Sequence, residues 1–159
     1  MNLMNNCNLF RNNQGNQCNK EKEEHRHDRG KEPHVVNICQ ATLRNQNFRT
    51  ALWTGCELQL TVMCIPVGEE IGLEMHPTTD QFLCIEQGQG IVKMGSCKEK
   101  MCFEKCVSMG DAIFIPECTW HNIINTGKCP LKLYSIYAPP EHPCGTVHKT
   151  RKEAMEAER

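Results

Sequence analysis

The sequence predicts an all-β domain of the sandwich or barrel type, and three observations support it. From Pro33 onward, short runs rich in Val, Ile, Leu and Thr recur, with Gly, Pro, Asn or Asp in the gaps. That is the pattern of many short strands joined by turns. The run 57–66 alternates for part of its length, with Leu58, Leu60 and Val62 on one face, the period of a half-buried strand. Finally, 159 residues suffice for one domain with a real core plus some unstructured flank.

Residues 1–32 carry Asn, Gln, Lys and Glu and almost no aliphatic side chains after Leu9 and Phe10. Such a segment buries too little apolar surface to offset its ordering entropy, so a disordered leader is expected. It holds Cys7, Cys18, His25 and His27, either as an accessory metal-binding tail or as a solvated leader, and the second reading is favoured. The barrel domain is expected over 33–150, with strands at 34–38, 49–54, 57–66, 81–86, 90–94, 102–108, 112–116, 121–125 and 131–138. Residues 151–159, RKEAMEAER, contain helix formers with little apolar face and read as a short helical tail.

The net charge of −1 gives no reason to expect a nucleic-acid or anionic-membrane surface. No apolar run approaches the ~20 residues of a membrane span. The N-terminus lacks the basic start and apolar stretch of a secretory signal, so the cytoplasm is the expected compartment. Twelve cysteines are then mostly thiols rather than a disulfide framework. Cys64 and Cys84 lie in apolar runs and read as core. Cys97, Cys102 and Cys106 lack the paired spacing of structural zinc and read as ordinary thiols. His142 and His148 read as surface residues of the C-terminal stretch.

Chemistry concentrates in two places. Glu74 and His76 lie two apart, so on a strand they share a face. Gln81 opens the next apolar run, and a turn over 77–80 can bring it opposite that pair. His121 follows the tight Pro116-Glu-Cys-Thr-Trp stretch. Two imidazoles, a carboxylate and an amide oxygen suit one divalent first-row ion (Zn, Mn, Fe or Ni) with positions left for water or substrate. By alternation, Leu83 and Ile85 should share the interior with Gln81, and Ile123 with His121, while Trp120 faces away and packs between the sheets. A polar cluster without metal is the alternative, but it would leave a buried carboxylate to satisfy by other means.

These residues resemble the two motifs of the cupin superfamily. Gly68, five residues, Glu74-x-His76, four residues, Gln81, six residues and Gly88 reproduce the spacing of the first. Gly110, Pro116, His121 and Asn125 match the second, with Cys118 where glycine is usual. Glu74 stands where many cupins have His, and Gln81 where they have Glu. The stretch from NFRTALWTG to GTVHKT is similar to small single-domain bacterial cupins, some of a mannose-6-phosphate isomerase-like group. The resemblance implies a double-stranded β-helix, or jelly-roll barrel, with Glu74, His76, Gln81 and His121 as metal ligands, and a homodimer formed through the outer sheet. It points to a metal-dependent enzyme on a small polar molecule such as a sugar or sugar phosphate. An Fe- or Mn-dependent dioxygenase and a non-catalytic sugar- or metal-binding module are the alternatives. No phosphate-binding loop or Arg/Lys cluster is evident, and no general base can be named.

Overall fold

The structure, a computed structural model, describes residues 27–157. Nine strands follow in order: β1 (Arg49–Thr54), β2 (Gln59–Ile65), β3 (Asp80–Gln87), β4 (Gln89–Gly95), β5 (Phe103–Ser108), β6 (Ala112–Ile115), β7 (Trp120–Asn125), β8 (Leu131–Ala138) and β9 (Val147–His148). Among the described residues, two short helices, α1 (Ile38–Arg44) and α2 (Arg151–Ala157), flank them. A six-stranded sheet runs β6-β3-β8-β2-β1-β9 and a three-stranded sheet runs β5-β4-β7. Bridges Glu70–Ile124 and Glu74–His121 lay residues 70–74 along the open edge of β7. This is the all-β jelly roll expected, with the ends of β1 to β8 within a few residues of their predicted places and β9 an unpredicted addition.

The inward positions divide the interior. Met63 and Ile65 of β2, Leu83 and Ile85 of β3, and Leu131 and Leu133 of β8 are all fully buried. They meet across the ladders Met63–Leu133–Ile85 and Ile65–Leu131, giving one dry half. The same three strands present Gln59, Thr61, Gln81, Ser135 and Tyr137 to the other half, all but Gln81 with no exposure and Gln81 with only 3 %. Polar groups at such depth require partners or a ligand, so this half is where a site belongs.

One expectation is corrected. Residues 34–38 form no strand: Asn37 accepts a 3.0 Å bond from the Gln40 N–H and caps α1, while Val35 stays almost wholly exposed. An Asn with helix formers behind it outcompetes a short β-branched run with no sheet edge to pair with. Lys132, buried on β8, closes the other end of α1 by donating to the carbonyls of Leu43 (2.6 Å) and Asn45 (2.8 Å), where the helix dipole favours a cation. The tail helix α2 forms where it is expected and is anchored, with Ala154 in the core and Arg151 paired to Glu70 at 2.9 Å.

Of the expected leader, only the last six residues are described. Residues 1–26, including Cys7, Cys18 and His25, lie outside the described residues, but 27–32 run along β1. The Arg29 N–H donates to the Leu52 carbonyl at 2.9 Å, and the Trp53 indole donates to the Glu32 carbonyl at 2.9 Å. Asp28 is 1 % exposed. A short segment can be ordered without apolar side chains when its backbone and one carboxylate are fully hydrogen-bonded.

Candidate metal centre

The elements bring the two sequence motifs together at the polar half. Glu74 and His121 exchange backbone hydrogen bonds at 3.0 and 2.9 Å, and the Cys118 N–H donates to the His76 carbonyl at 2.7 Å. These bonds fix the register of 74–76 against the start of β7. His121 is 1 % exposed and His76 7 %. Their rings lie 5.3 Å apart.

The donor atoms converge. Glu74 Oε1 stands 3.3 Å from His121 Nε2 and 3.7 Å from His76 Nε2, and the ligand atoms of all three lie within 4.8 Å of one another. Atoms each ~2.1 Å from a shared ion stand roughly 3 to 4 Å apart, so this spacing suits a common ion. Glu74 Oε1, His76 Nε2 and His121 Nε2 are buried and have no hydrogen-bond partner in the protein. Gln81 faces the same interior, 3 % exposed. Its amide nitrogen donates to Ser135 Oγ at 3.0 Å, which turns Oε1 away as a further buried oxygen without a partner. Among the described residues, Glu74, His76 and His121 are the group of His, Cys, Asp or Glu side chains able to hold an ion.

The outer ring nitrogens are held as metal-ligating imidazoles usually are. His121 Nδ1 lies 2.9 Å from the Thr119 carbonyl, which can only accept, and this contact turns Nε2 toward Glu74. His76 Nδ1 lies 3.1 Å from Glu141 Oε1, a carboxylate–imidazole pair that orients the ring and raises its basicity. Burial opposes charge on Glu74, yet His121, His76 and Arg49 more than offset it and hold the carboxyl well below its usual range. Burial likewise disfavours the His76 cation, but the carboxylates of Glu74 and Glu141 dominate and raise its pKa. Arg49 reaches within 3.9 Å of Glu74 Oε2 from β1, fully buried, as a counter-charge inside the barrel.

Several residues that look ordinary in the sequence belong to this wall. Tyr137, wholly buried, sets its ring edge-on to His76 at 5.7 Å and to His142 at 5.0 Å. Burial pushes its hydroxyl up to about 12, with Arg49 opposing. His142 is buried rather than superficial. Burial, then Arg49, presses its imidazole from 6.5 down to about 3, so it is neutral. His148 sits in β9 opposite Arg49. Glu141 and His142 follow a Pro-Pro pair in a polar stretch; only the long return of the chain over the barrel mouth reveals them, and local pattern carries no sign of it. Arg49 is legible only as a charge in an otherwise strand-like run.

Other expectations resolve individually. Leu83, Ile85 and Ile123 are buried inward as alternation requires. Trp120 faces away from the site, but it lies half-buried beneath Lys98 at 4.5 Å instead of between the sheets. Cys64 is buried while Cys84 is only half-buried, and the ten described cysteines are free thiols. No helix among the described residues is long and apolar enough to cross a membrane.

Comparison with known proteins agrees with the geometry. Residues 61–137, from β2 to β8 and spanning both motifs, match the family model described as Cupin domain. A Bacillus subtilis protein, YrkC, is 60 % identical over 131 residues, 82 % of this chain and 70 % of its own length. Protein L612 of Acanthamoeba polyphaga mimivirus is 37 % identical over 122 residues, 76 % of this chain and 74 % of its own. The crystal structure of BH2720 from Bacillus halodurans superposes with a TM-score of 0.81 at 57 % identity, over 82 % of this chain and 98 % of that one. Matched in sequence across the strands that carry the two motifs, and in fold by a solved relative, the chain belongs to the cupin superfamily.

Proposed function

We propose that the protein is a metal-dependent enzyme acting on a small polar molecule, with one divalent ion held by Glu74, His76, Gln81 and His121. The observation that carries this reading is four buried donor atoms, one from each of these side chains, without a hydrogen-bond partner in the protein. Leaving each such atom unpaired costs ~1–3 kcal/mol, and an ion removes all four penalties at once. When bound, the ion supplies Lewis-acid polarisation of substrate oxygens.

The chain's own residues favour an uncharged, oxygen-rich substrate such as a sugar or other hydroxycarbonyl compound. Tyr137 Oη, Thr61 Oγ1 and His142 Nε2 are also buried without partners. All three are neutral and can exchange hydrogen bonds with hydroxyl or carbonyl groups. Arg49 is already set against Glu74, so a sugar phosphate, as in a mannose-6-phosphate isomerase-like activity, fits less well than its unphosphorylated counterpart. Cytoplasmic location and a homodimer belong to this reading, the second open to test by sedimentation.

Metal analysis of the native protein beside His121→Ala and Gln81→Ala tests the centre. About one divalent ion per chain is expected in the wild type, little in His121→Ala, and reduced occupancy in Gln81→Ala. Undiminished metal in the His121 variant would overturn the assignment. A second reading is favoured by two imidazoles and one carboxylate lying within 4.8 Å, the ligand set of non-haem iron oxygenases. Oxygen uptake by anaerobically Fe(II)-loaded protein on a panel of enolic compounds would support it, and no uptake would count against it.

A further inference from the structure

His76 is oriented by Glu141, and Glu141 lies outside every strand, in the segment that leaves β8. Something must hold that segment in place if the 3.1 Å contact with His76 Nδ1 is to persist.

The support can be followed bond by bond. Gln59, fully buried on β2, grips the backbone of His142 at both ends of its amide. Its Nε2 donates to the His142 carbonyl at 2.8 Å, and its Oε1 accepts from the His142 N–H at 2.9 Å. The same Nε2 donates to Thr54 Oγ1 at 3.0 Å. Thr54 Oγ1 in turn donates to Asp28 Oδ2 at 2.6 Å. Asp28 closes the circuit from the other side: Oδ2 also accepts from the Gly145 N–H at 2.8 Å, while Oδ1 accepts from the Gly30 N–H at 2.8 Å. The segment 141–145 is therefore pinned at His142 through Gln59 and at Gly145 directly, and both pins meet at one buried carboxylate.

Resting on the metal reading, we propose that Asp28 is a positioning residue for the metal centre, acting through Thr54, Gln59 and the 141–145 segment to hold Glu141 against His76. A carboxylate accepting three hydrogen bonds is a strong, directional clamp. It sits 1 % exposed although its neighbours His27 and Arg29 are on the surface. An N-terminal segment that would otherwise decorate β1 is thereby part of the outer shell of the site. Outer-shell partners of ligating histidines commonly contribute 10- to 100-fold to metal affinity.

Cobalt(II) tests this, because its d–d absorption reports coordination geometry and its titration reports affinity. The full-length wild type is compared with Glu141→Gln, Asp28→Ala, Thr54→Val and the double variant Asp28→Ala/Glu141→Gln, with circular dichroism of each metal-free protein as the folding control. We expect each single variant to weaken Co(II) binding roughly 10-fold or more and to change the visible spectrum in the same sense. The double variant should be no weaker than Glu141→Gln alone, since both changes remove one contact. If Asp28→Ala fails to fold, Thr54→Val decides, being nearly isosteric and breaking the same circuit at its centre. Unaltered affinity and spectrum in the folded Asp28 or Thr54 variant, or additive losses in the double variant, would overturn the proposal while leaving the metal centre standing. No Co(II) binding by the wild type would overturn the metal reading itself, and the positioning role with it.

Discussion

Two side chains at the mouth and wall of the barrel show what single positions contribute. Cys118 occupies φ 59°, the left-handed region that costs a side-chain-bearing residue ~1–2 kcal/mol. Glycine is usual there in the motif, and the thiol gains only a 3.3 Å bond to the Pro77 carbonyl. Cys118→Gly is expected to stabilise the protein by ~1 kcal/mol, seen as a rise of a few degrees in thermal midpoint with metal content unchanged. His142 works in the opposite direction. Burial, with Arg49 adding to it, lowers its pKa from 6.5 to about 3, so the unfolded chain binds a proton that the folded one refuses. The stability tied to neutral His142 is complete above about pH 6.5 and is lost progressively as the pH falls toward 3. Thermal midpoints of the metal-free protein should therefore fall from pH 7 to pH 4, and less steeply in His142→Gln; equal slopes would refute this.

At the level of elements, the sequence exposes periodicity and hides competition. Strands β3, β7 and β8 are legible because their inward residues recur every second position and their turns carry Gly, Pro or Asn; on β2 the alternating Leu58, Leu60 and Val62 lie on the face opposite the inward Gln59, Thr61, Met63 and Ile65, and Leu58 is exposed. The candidate ligands His76, His121, Glu74 and Gln81 are legible from motif spacing, although only Gln81 and His121 lie on strands, at the start of β3 and β7. The 34–38 run is not, because Asn37 can cap a helix and Val35 has no edge to join. Glu141, His142 and Asp28 were invisible since their roles depend on contacts with residues up to 117 positions away in the chain. The link between β3 and β4 offers a test of turn chemistry. Gly88 has φ 92°, and an added Cβ would meet the Pro130 carbonyl oxygen at 2.9 Å. Gly88→Ala should destabilise by more than ~1 kcal/mol, measurable by urea unfolding, whereas the same change at Gly68, with nothing near its Cβ, should cost less.

Taken whole, the molecule joins a dry half that stabilises it to a polar half that taxes it. Buried donors without partners lower the stability of the metal-free protein, and an ion that binds only the folded chain raises it by ~2.7 kcal/mol at a free concentration one hundred times its dissociation constant. Chelation is expected to lower the thermal midpoint of the wild type by several degrees and to leave His121→Ala unmoved. The division also runs along the strands. β2 passes from Gln59 and Thr61 to Met63 and Ile65, β3 from Gln81 to Ile85, and β8 in reverse from Leu131 to Tyr137. Each long strand thus has one end in hydrocarbon and one end beside unmet polar groups. Amide-hydrogen exchange should therefore grade within a strand rather than between strands, slowest at Met63, Ile85 and Leu133, and faster toward Thr61, Gln81 and Ser135 until a bound ion closes the gap.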